Sequence, residues 1–181
     1  MIIGLSGKNC SGKDTVANYL VSKGFISLSL SDAIRDDLKL QGKPLTRENL
    51  IAQGNFIRKK FGENELAKRI MRKIDRSKNY VIVSIRNPNE AFELASYSNF
   101  YLVDVSSDQN MRFERMKSRL RESDPITFEK FCELEAQESS NPDPASQQLD
   151  KVSKLANFSI ENNSSLNDLH SKIDSLLNLI M

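Results

Sequence analysis

The chain begins Met1-Ile2-Ile3-Gly4-Leu5-Ser6-Gly7-Lys8-Asn9-Cys10-Ser11-Gly12-Lys13-Asp14-Thr15, and this stretch decides the fold. It runs from a short apolar strand through a loop flanked by two glycines into the start of a helix. Glycines allow several backbone N–H groups to converge on a polyphosphate without side chains in the way. Because the loop also matches the pattern Gly-x4-Gly-Lys, the stretch predicts a phosphate-binding loop.

We expect this loop to bind ATP, with the Lys13 ammonium reaching the β- and γ-phosphates in a catalytic role. Position 14 departs from the pattern, because Asp14 stands where a Ser or Thr hydroxyl normally holds Mg²⁺. Either the Thr15 hydroxyl replaces it or the Asp14 carboxylate contacts the metal, and both alternatives stay open. The predicted ATP-binding residues are Gly7, Lys8, Asn9, Cys10, Ser11, Gly12, Lys13, Asp14, Thr15 and Arg115.

Length and composition indicate one globular domain over residues 1–181, with 28% charged and 39% hydrophobic residues. A formal net charge of +2 gives no bulk electrostatic argument for binding nucleic acid or a membrane. No apolar run approaches the length of a membrane span, and the N-terminus lacks the basic front of a signal peptide. We therefore expect a cytoplasmic protein.

Apolar runs and amphipathic helices alternate along the whole chain, which is typical of parallel sheets with helical crossovers. The fold prediction is a three-layer α/β/α P-loop NTPase with a five-stranded parallel sheet, a helical lid and ligands at the carboxyl ends of the strands. The predicted strands are the apolar start of the chain and residues 25–30, 80–83, 100–105 and 157–161. One predicted helix follows the loop, and two others begin at residues 33 and 88. Further helices are predicted over residues 46–56, 66–74, 110–120 and 166–179.

Residues 119–150 differ in composition, and few of them are expected to anchor a core. Taken alone, this composition is typical of a solvent-exposed helix followed by a flexible connection. Next to a phosphate-binding loop they also fit a mobile lid over residues 112–150, because phosphoryl transfer needs arginines on an element that closes over the phosphates. We assign Arg119 a catalytic role. The lid arginines are Arg112, Arg115, Arg119 and Arg121.

The second substrate is expected across the sheet from the loop, beside a helical insert at residues 31–75. Arg35 and Arg86 each follow a predicted strand, so both can face the same cleft and bind the phosphate of an acceptor. Arg86 is also assigned a catalytic role, and Arg58 is a further acceptor-binding candidate. For each arginine alone, a surface ion pair is the ordinary alternative.

Several further stretches carry a family resemblance. The chain resembles the P-loop nucleoside monophosphate kinases, in particular dephospho-CoA-kinase-like and adenylate-kinase-related proteins and the kinase-like domain fused to some deoxycytidylate deaminases. The resemblance implies transfer of the ATP γ-phosphoryl group, with Mg²⁺, to a nucleotide-like acceptor held by Asp32, Arg35 and Arg86. The matching stretches are Gly7 to Thr15 and residues 29–35, 46–50, 54–58, 84–90, 112–115, 123–131 and 162–165.

Two departures bear on activity. Relatives usually carry Asp at the end of the third strand, where Val83 stands, and Ala-Asp where Ala156-Asn157 stands. The predicted function is phosphoryl transfer from ATP to a nucleoside or deoxynucleoside monophosphate. Dephospho-CoA kinase-like activity and a non-catalytic nucleotide-sensing module remain alternatives. We expect a monomer or homodimer whose partner is a small-molecule nucleotide acceptor, with no nucleic acid or membrane partner.

Overall fold

The computed structural model describes residues 1–119 and 127–181. Within these ranges a five-stranded sheet has the order β2-β3-β1-β4-β5, and every pairing is parallel. The first strand is central, so the loop that follows it emerges at the middle of the carboxyl edge. The strands are β1 (Ile2–Ser6), β2 (Ile26–Ser29), β3 (Tyr80–Val83), β4 (Phe100–Ser106) and β5 (Phe158–Glu161).

Helices cover both faces of the sheet. Successive residues of β1 point to opposite faces, so Ile2 belongs to one buried core and Ile3 to the other. This confirms the predicted three-layer α/β/α P-loop NTPase fold. The helices are α1 (Lys13–Ser22), α2 (Leu30–Leu40), α3 (Arg47–Phe61), α4 (Glu65–Met71), α5 (Pro88–Ala95), α6 (Gln109–Ser118), α7 (Phe128–Ser139), α8 (Leu149–Ser153) and α9 (Leu166–Ile180).

Side-chain caps fix where several helices begin. The Thr46 hydroxyl accepts the N–H of Asn49 at the start of α3, and Asn87 forms a capping box with Glu90 at the start of α5. The predicted start of α2 at residue 33 is wrong. This helix begins at Leu30, because the hydroxyl of Ser29 caps it by accepting the N–H of Ser31.

The segment after α6 is more deeply packed than its composition indicates. Phe131, Ala145 and Leu149 are each less than a tenth exposed, so the expectation that few residues of 119–150 anchor a core is wrong for these positions. The Asn87 amide also donates to backbone carbonyl oxygens at 144 and 146. Residues 128–149 are thus part of the packed domain, whereas the predicted lid residue Arg121 lies outside the described residues.

In the part of the chain that the structure describes, no helix is both long enough and apolar enough to cross a membrane.

Candidate active site

The loop after β1 folds as the glycine pattern requires. Gly7 has φ +132° and Gly12 has φ +105°, conformations that side chains rarely adopt. A Cβ at Gly7 would collide with the Val105 carbonyl oxygen, and one at Gly12 would collide with the Asn162 amide. That amide donates to the Ser11 carbonyl oxygen at 2.8 Å, so the end of β5 supports the loop.

The Lys13 ammonium lies inside the loop. It donates to the Gly7 and Lys8 carbonyl oxygens at 2.7 and 2.6 Å. Cys10 has φ +60° and contributes to the sharp curvature of the loop. The loop backbone and Lys13 are therefore arranged around one small volume at the N-terminus of α1, as an anion site requires.

The two candidate metal ligands lie at the start of α1. Asp14 is exposed and Thr15 half-buried, and both line the cleft beside the loop. Mg²⁺ in phosphate sites is commonly bound by one or two protein oxygens, with phosphates and waters completing the octahedron. The hydroxyl and carboxylate present here fit that requirement, so Asp14 and Thr15 both remain candidates.

A continuous cleft of about 680 Å³ runs from the loop to α2 and α3. It brings together most of the predicted catalytic and phosphate-binding side chains. Asp32 is exposed, and among the described residues it is not one that lines the cleft; it forms an ion pair of 2.9 Å with Arg35. The predicted cationic residues that do line the cleft are Lys13, Arg35, Arg58, Arg86, Arg115 and Arg119.

Arg58 lies at the cleft wall, but its guanidinium is engaged inside the protein. Its side chain is 3% exposed, and Nε donates to Glu90 Oε1 at 2.8 Å. Glu90 Oε2 in turn accepts the backbone N–H groups of Arg86 and Asn87. This arrangement gives the Arg58 guanidinium a structural partner inside the domain.

The arginines of α6 differ from one another. Arg112 is buried and forms a bidentate pair with Glu135, while Nη1 also contacts the Asn9 carbonyl oxygen. Burial opposes ionisation of Glu135, but Arg112 outweighs it and holds the pKa of that carboxyl below its usual value. Arg112 therefore fastens α6 and α7 to the loop. Arg115 donates to the Asn162 carbonyl oxygen at 2.9 Å and, with Arg119, lines the cleft.

Similar proteins identify the family to which this chain belongs. A family model described as an AAA domain matches residues 3–139. A UPF0200 protein from Pyrococcus horikoshii is 30% identical over 188 aligned positions, which cover 100% of this chain and 98% of that protein. The chain belongs to the UPF0200 family of AAA-domain proteins.

Solved structures with the same fold as this UPF0200 family member include two shikimate kinases. The enzyme from Bacteroides thetaiotaomicron has a TM-score of 0.60 and 15% identity, covering 99% of this chain and 97% of that one. The enzyme from Aquifex aeolicus has a TM-score of 0.55 and 18% identity, covering 98% and 96%. At these identities the comparison establishes the P-loop kinase-like fold and not the substrate.

Three residues that line the cleft were assigned no function from the sequence. Arg47 is the first residue of α3, Glu138 lies near the end of α7 and Gln147 lies in the connection that follows. Arg47 donates to Glu138, which is 91 positions away in the chain. Gln147 instead accepts a hydrogen bond from Arg86. For Glu138 and Gln147 the only sequence signal is the polar character of residues 138–148, which by itself is also typical of an exposed connection. Arg47 lies within the matching stretch 46–50, which gave it no role.

The ionisation of Lys13 should make nucleotide binding depend on pH. Burial of its ammonium, and next the positive charge of Arg86, lower its pKa from 10.5 to about 8. Because only the protonated form attracts phosphate, ATP affinity should fall as the pH rises above about 8, by up to about tenfold per unit. Calorimetric titration with ATP from about pH 7 to about pH 9 measures this. Lys13→Arg stays charged, so a parallel fall in that variant would contradict the assignment.

Proposed function

We propose that this protein transfers the γ-phosphoryl group of ATP to a nucleoside or deoxynucleoside monophosphate. The observation that carries the proposal is the single cleft, which joins the phosphate-binding loop to a second group of arginines around Arg35 and Arg86. A volume of about 680 Å³ lies within the range of small-molecule sites. A phosphotransferase needs this arrangement, because both substrates must meet in one enclosed space.

Each side chain has a role that follows from its position. The loop N–H groups and Lys13 would hold the β- and γ-phosphates. Arg115 of α6 and Arg119, the residue that follows α6, would approach them. Arg86 lines the same cleft as Lys13 and as the acceptor end, which is the part of the cleft formed by α2 and α3. Its charge would offset the negative charge that develops during transfer. Mg²⁺, when bound through Asp14 or Thr15, would supply further charge neutralisation.

The acceptor end also has an aliphatic wall. Leu45, Leu50 and Ile51 line it, together with Leu30 and Ile34 from α2. Such a surface suits the apolar part of a nucleoside, and it also supports the dephospho-CoA alternative, whose pantetheine arm needs an apolar groove. Both classes of acceptor therefore belong in the same assay.

Val83 supports a second candidate function, a nucleotide-binding module without catalysis. It is the last residue of β3, it pairs in register with Ser29 of β2, and it lines the cleft. Valine offers no oxygen to a metal or an acceptor. A protein of this kind would bind ATP and release it chemically unchanged.

One assay tests these functions together. ADP formation from ATP and Mg²⁺ would be measured against ribo- and deoxyribonucleoside monophosphates, dephospho-CoA, shikimate and gluconate. We expect turnover with a monophosphate, and an increase in Val83→Asp because a carboxylate is restored at the end of β3. Binding of ATP without ADP formation from any acceptor, in the natural protein and in Val83→Asp alike, would contradict the kinase proposal and favour the binding module.

A further inference from the structure

Among the described residues, Glu138 places a carboxylate beside the arginines at the acceptor end of the cleft. Glu138 of α7 has a side chain only 10% exposed, and Arg47 Nη2 donates to its Oε1 at 2.5 Å. Its Oε2 lies 3.7 Å from Arg86 Nη1, beyond hydrogen-bond distance. Among the described residues none donates a hydrogen bond to Oε2, and Glu138 lines the cleft. One carboxylate oxygen is thus held firmly while the other can accept a hydrogen bond from a ligand.

The position of this oxygen limits which part of an acceptor can reach it. Arg86 is held by a hydrogen bond from Nη1 to Gln147 Oε1 at 2.7 Å, so its guanidinium has a fixed place in the cleft. A phosphate bound by Arg86 and Arg35 would be repelled by Glu138. The group that contacts Oε2 is therefore the uncharged part next to the phosphate, which in a nucleoside monophosphate is the sugar.

A carboxylate beside the sugar favours hydroxyl donors. Hydrogen bonds to a charged group are stronger than those between neutral groups, and a largely buried carboxylate oxygen without a donor lacks this stabilisation. Among the described residues that line the cleft there is no aromatic ring for a base to stack on, so polar contacts to the sugar carry more of the selectivity. Carboxylates also bind ribose hydroxyls in dinucleotide sites.

We propose that Glu138 determines acceptor specificity by accepting a hydrogen bond from the ribose 2′-hydroxyl, so that ribonucleoside monophosphates bind in preference to their 2′-deoxy counterparts. This assignment rests on the proposed function, because it takes a nucleoside monophosphate as the acceptor. Arg47 is a positioning residue that holds the carboxylate. Glu138 does not act as a base, since the attacking group is a phosphate oxygen that carries its own charge.

The test compares acceptors that differ by one hydroxyl. Calorimetry with AMP, dAMP, CMP and dCMP in the presence of a non-hydrolysable ATP analogue gives the ratio of deoxy to ribo Kd values. We expect the natural protein to prefer the ribonucleotide by about tenfold or more. Glu138→Gln should reduce this ratio about five- to tenfold, because a neutral acceptor binds a hydroxyl less strongly. Affinity for the ATP analogue should not change, which also reports correct folding.

Two further variants separate hydrogen bonding from a structural effect. Glu138→Asp keeps the charge beside Arg47 but withdraws the carboxylate by one methylene, so the preference should fall there too. Glu133→Gln on the exposed side of α7 is the matched control and should behave like the natural protein.

The outcomes for Glu138 and for catalysis are distinguishable. A ratio that is unchanged in Glu138→Gln, or that is near one in the natural protein, would overturn the assignment of Glu138 whether or not the protein turns over. Absence of ADP formation with a ribose preference that depends on Glu138 would refute catalysis alone. If no monophosphate binds to the natural protein, both the acceptor class and the role of Glu138 are refuted.

Discussion

Replacing Lys13 with alanine is expected to lower ADP formation by about a thousandfold. The ammonium lies within the loop, where it reaches the Gly7 and Lys8 carbonyl oxygens at 2.7 and 2.6 Å. In the ATP complex it would exchange these partners for phosphate oxygens. Its loss would remove a cation from the place where negative charge develops, and initial rates at saturating ATP and acceptor measure this loss.

The matched control for this variant is Lys23→Ala. Lys23 lies at the opposite end of α1 and forms an exposed ion pair with Asp174 at 2.9 Å, so its removal should leave the rate unchanged. Both variants should retain the thermal stability of the natural protein within a few degrees. Equal rates for Lys13→Ala and the natural protein would contradict the assignment of the cleft as a phosphoryl-transfer site.

Replacing Arg58 with methionine is expected to destabilise the protein by about 3–5 kcal/mol. The methionine would fill a similar volume, but Glu90, which is fully buried, would lose its charged partner. A buried carboxylate without a partner is costly, and this one also caps α5. Denaturant unfolding monitored by circular dichroism measures the change in free energy.

The double variant Arg58→Met with Glu90→Gln tests the cause. Glutamine removes the unpaired charge and keeps an oxygen for the backbone N–H groups of Arg86 and Asn87, so much of the stability should return. Arg69→Met, which breaks a half-buried pair with Asp37, should cost much less. An Arg58→Met protein with unchanged stability and weakened acceptor binding would instead support the acceptor-binding role predicted from sequence.

Local patterns carried most of the fold prediction. The first fifteen residues contain the phosphate-binding loop together with the strand before it and the start of the helix after it, so its glycines and lysine are all set by neighbours in sequence. The caps at Thr46 and Asn87 are likewise short-range, because the side chain bonds to the backbone within three residues. Alternating strands and helices then leave few topologies, since crossovers between parallel strands are almost always right-handed.

The parts of the site that were missed depend on contacts between distant residues. From sequence alone, Arg58 and Arg112 both resemble exposed arginines on helices. In the structure each is buried and paired with a glutamate more than twenty residues away in the chain. The sequence pattern of residues 128–149 does not predict that Phe131 is buried or that Glu138 lines the cleft.

The sequence by itself thus determined the phosphate-binding loop, the order of elements and the edge of the sheet at which the candidate site lies, because backbone conformation there follows from adjacent residues. Only the tertiary structure decided which arginines face the cleft and which are neutralised inside the domain. The same is true of the carboxylate of Glu138 beside Arg86. The charge that a side chain presents to a ligand depends on the partners that packing brings to it, and those partners are far away in the chain.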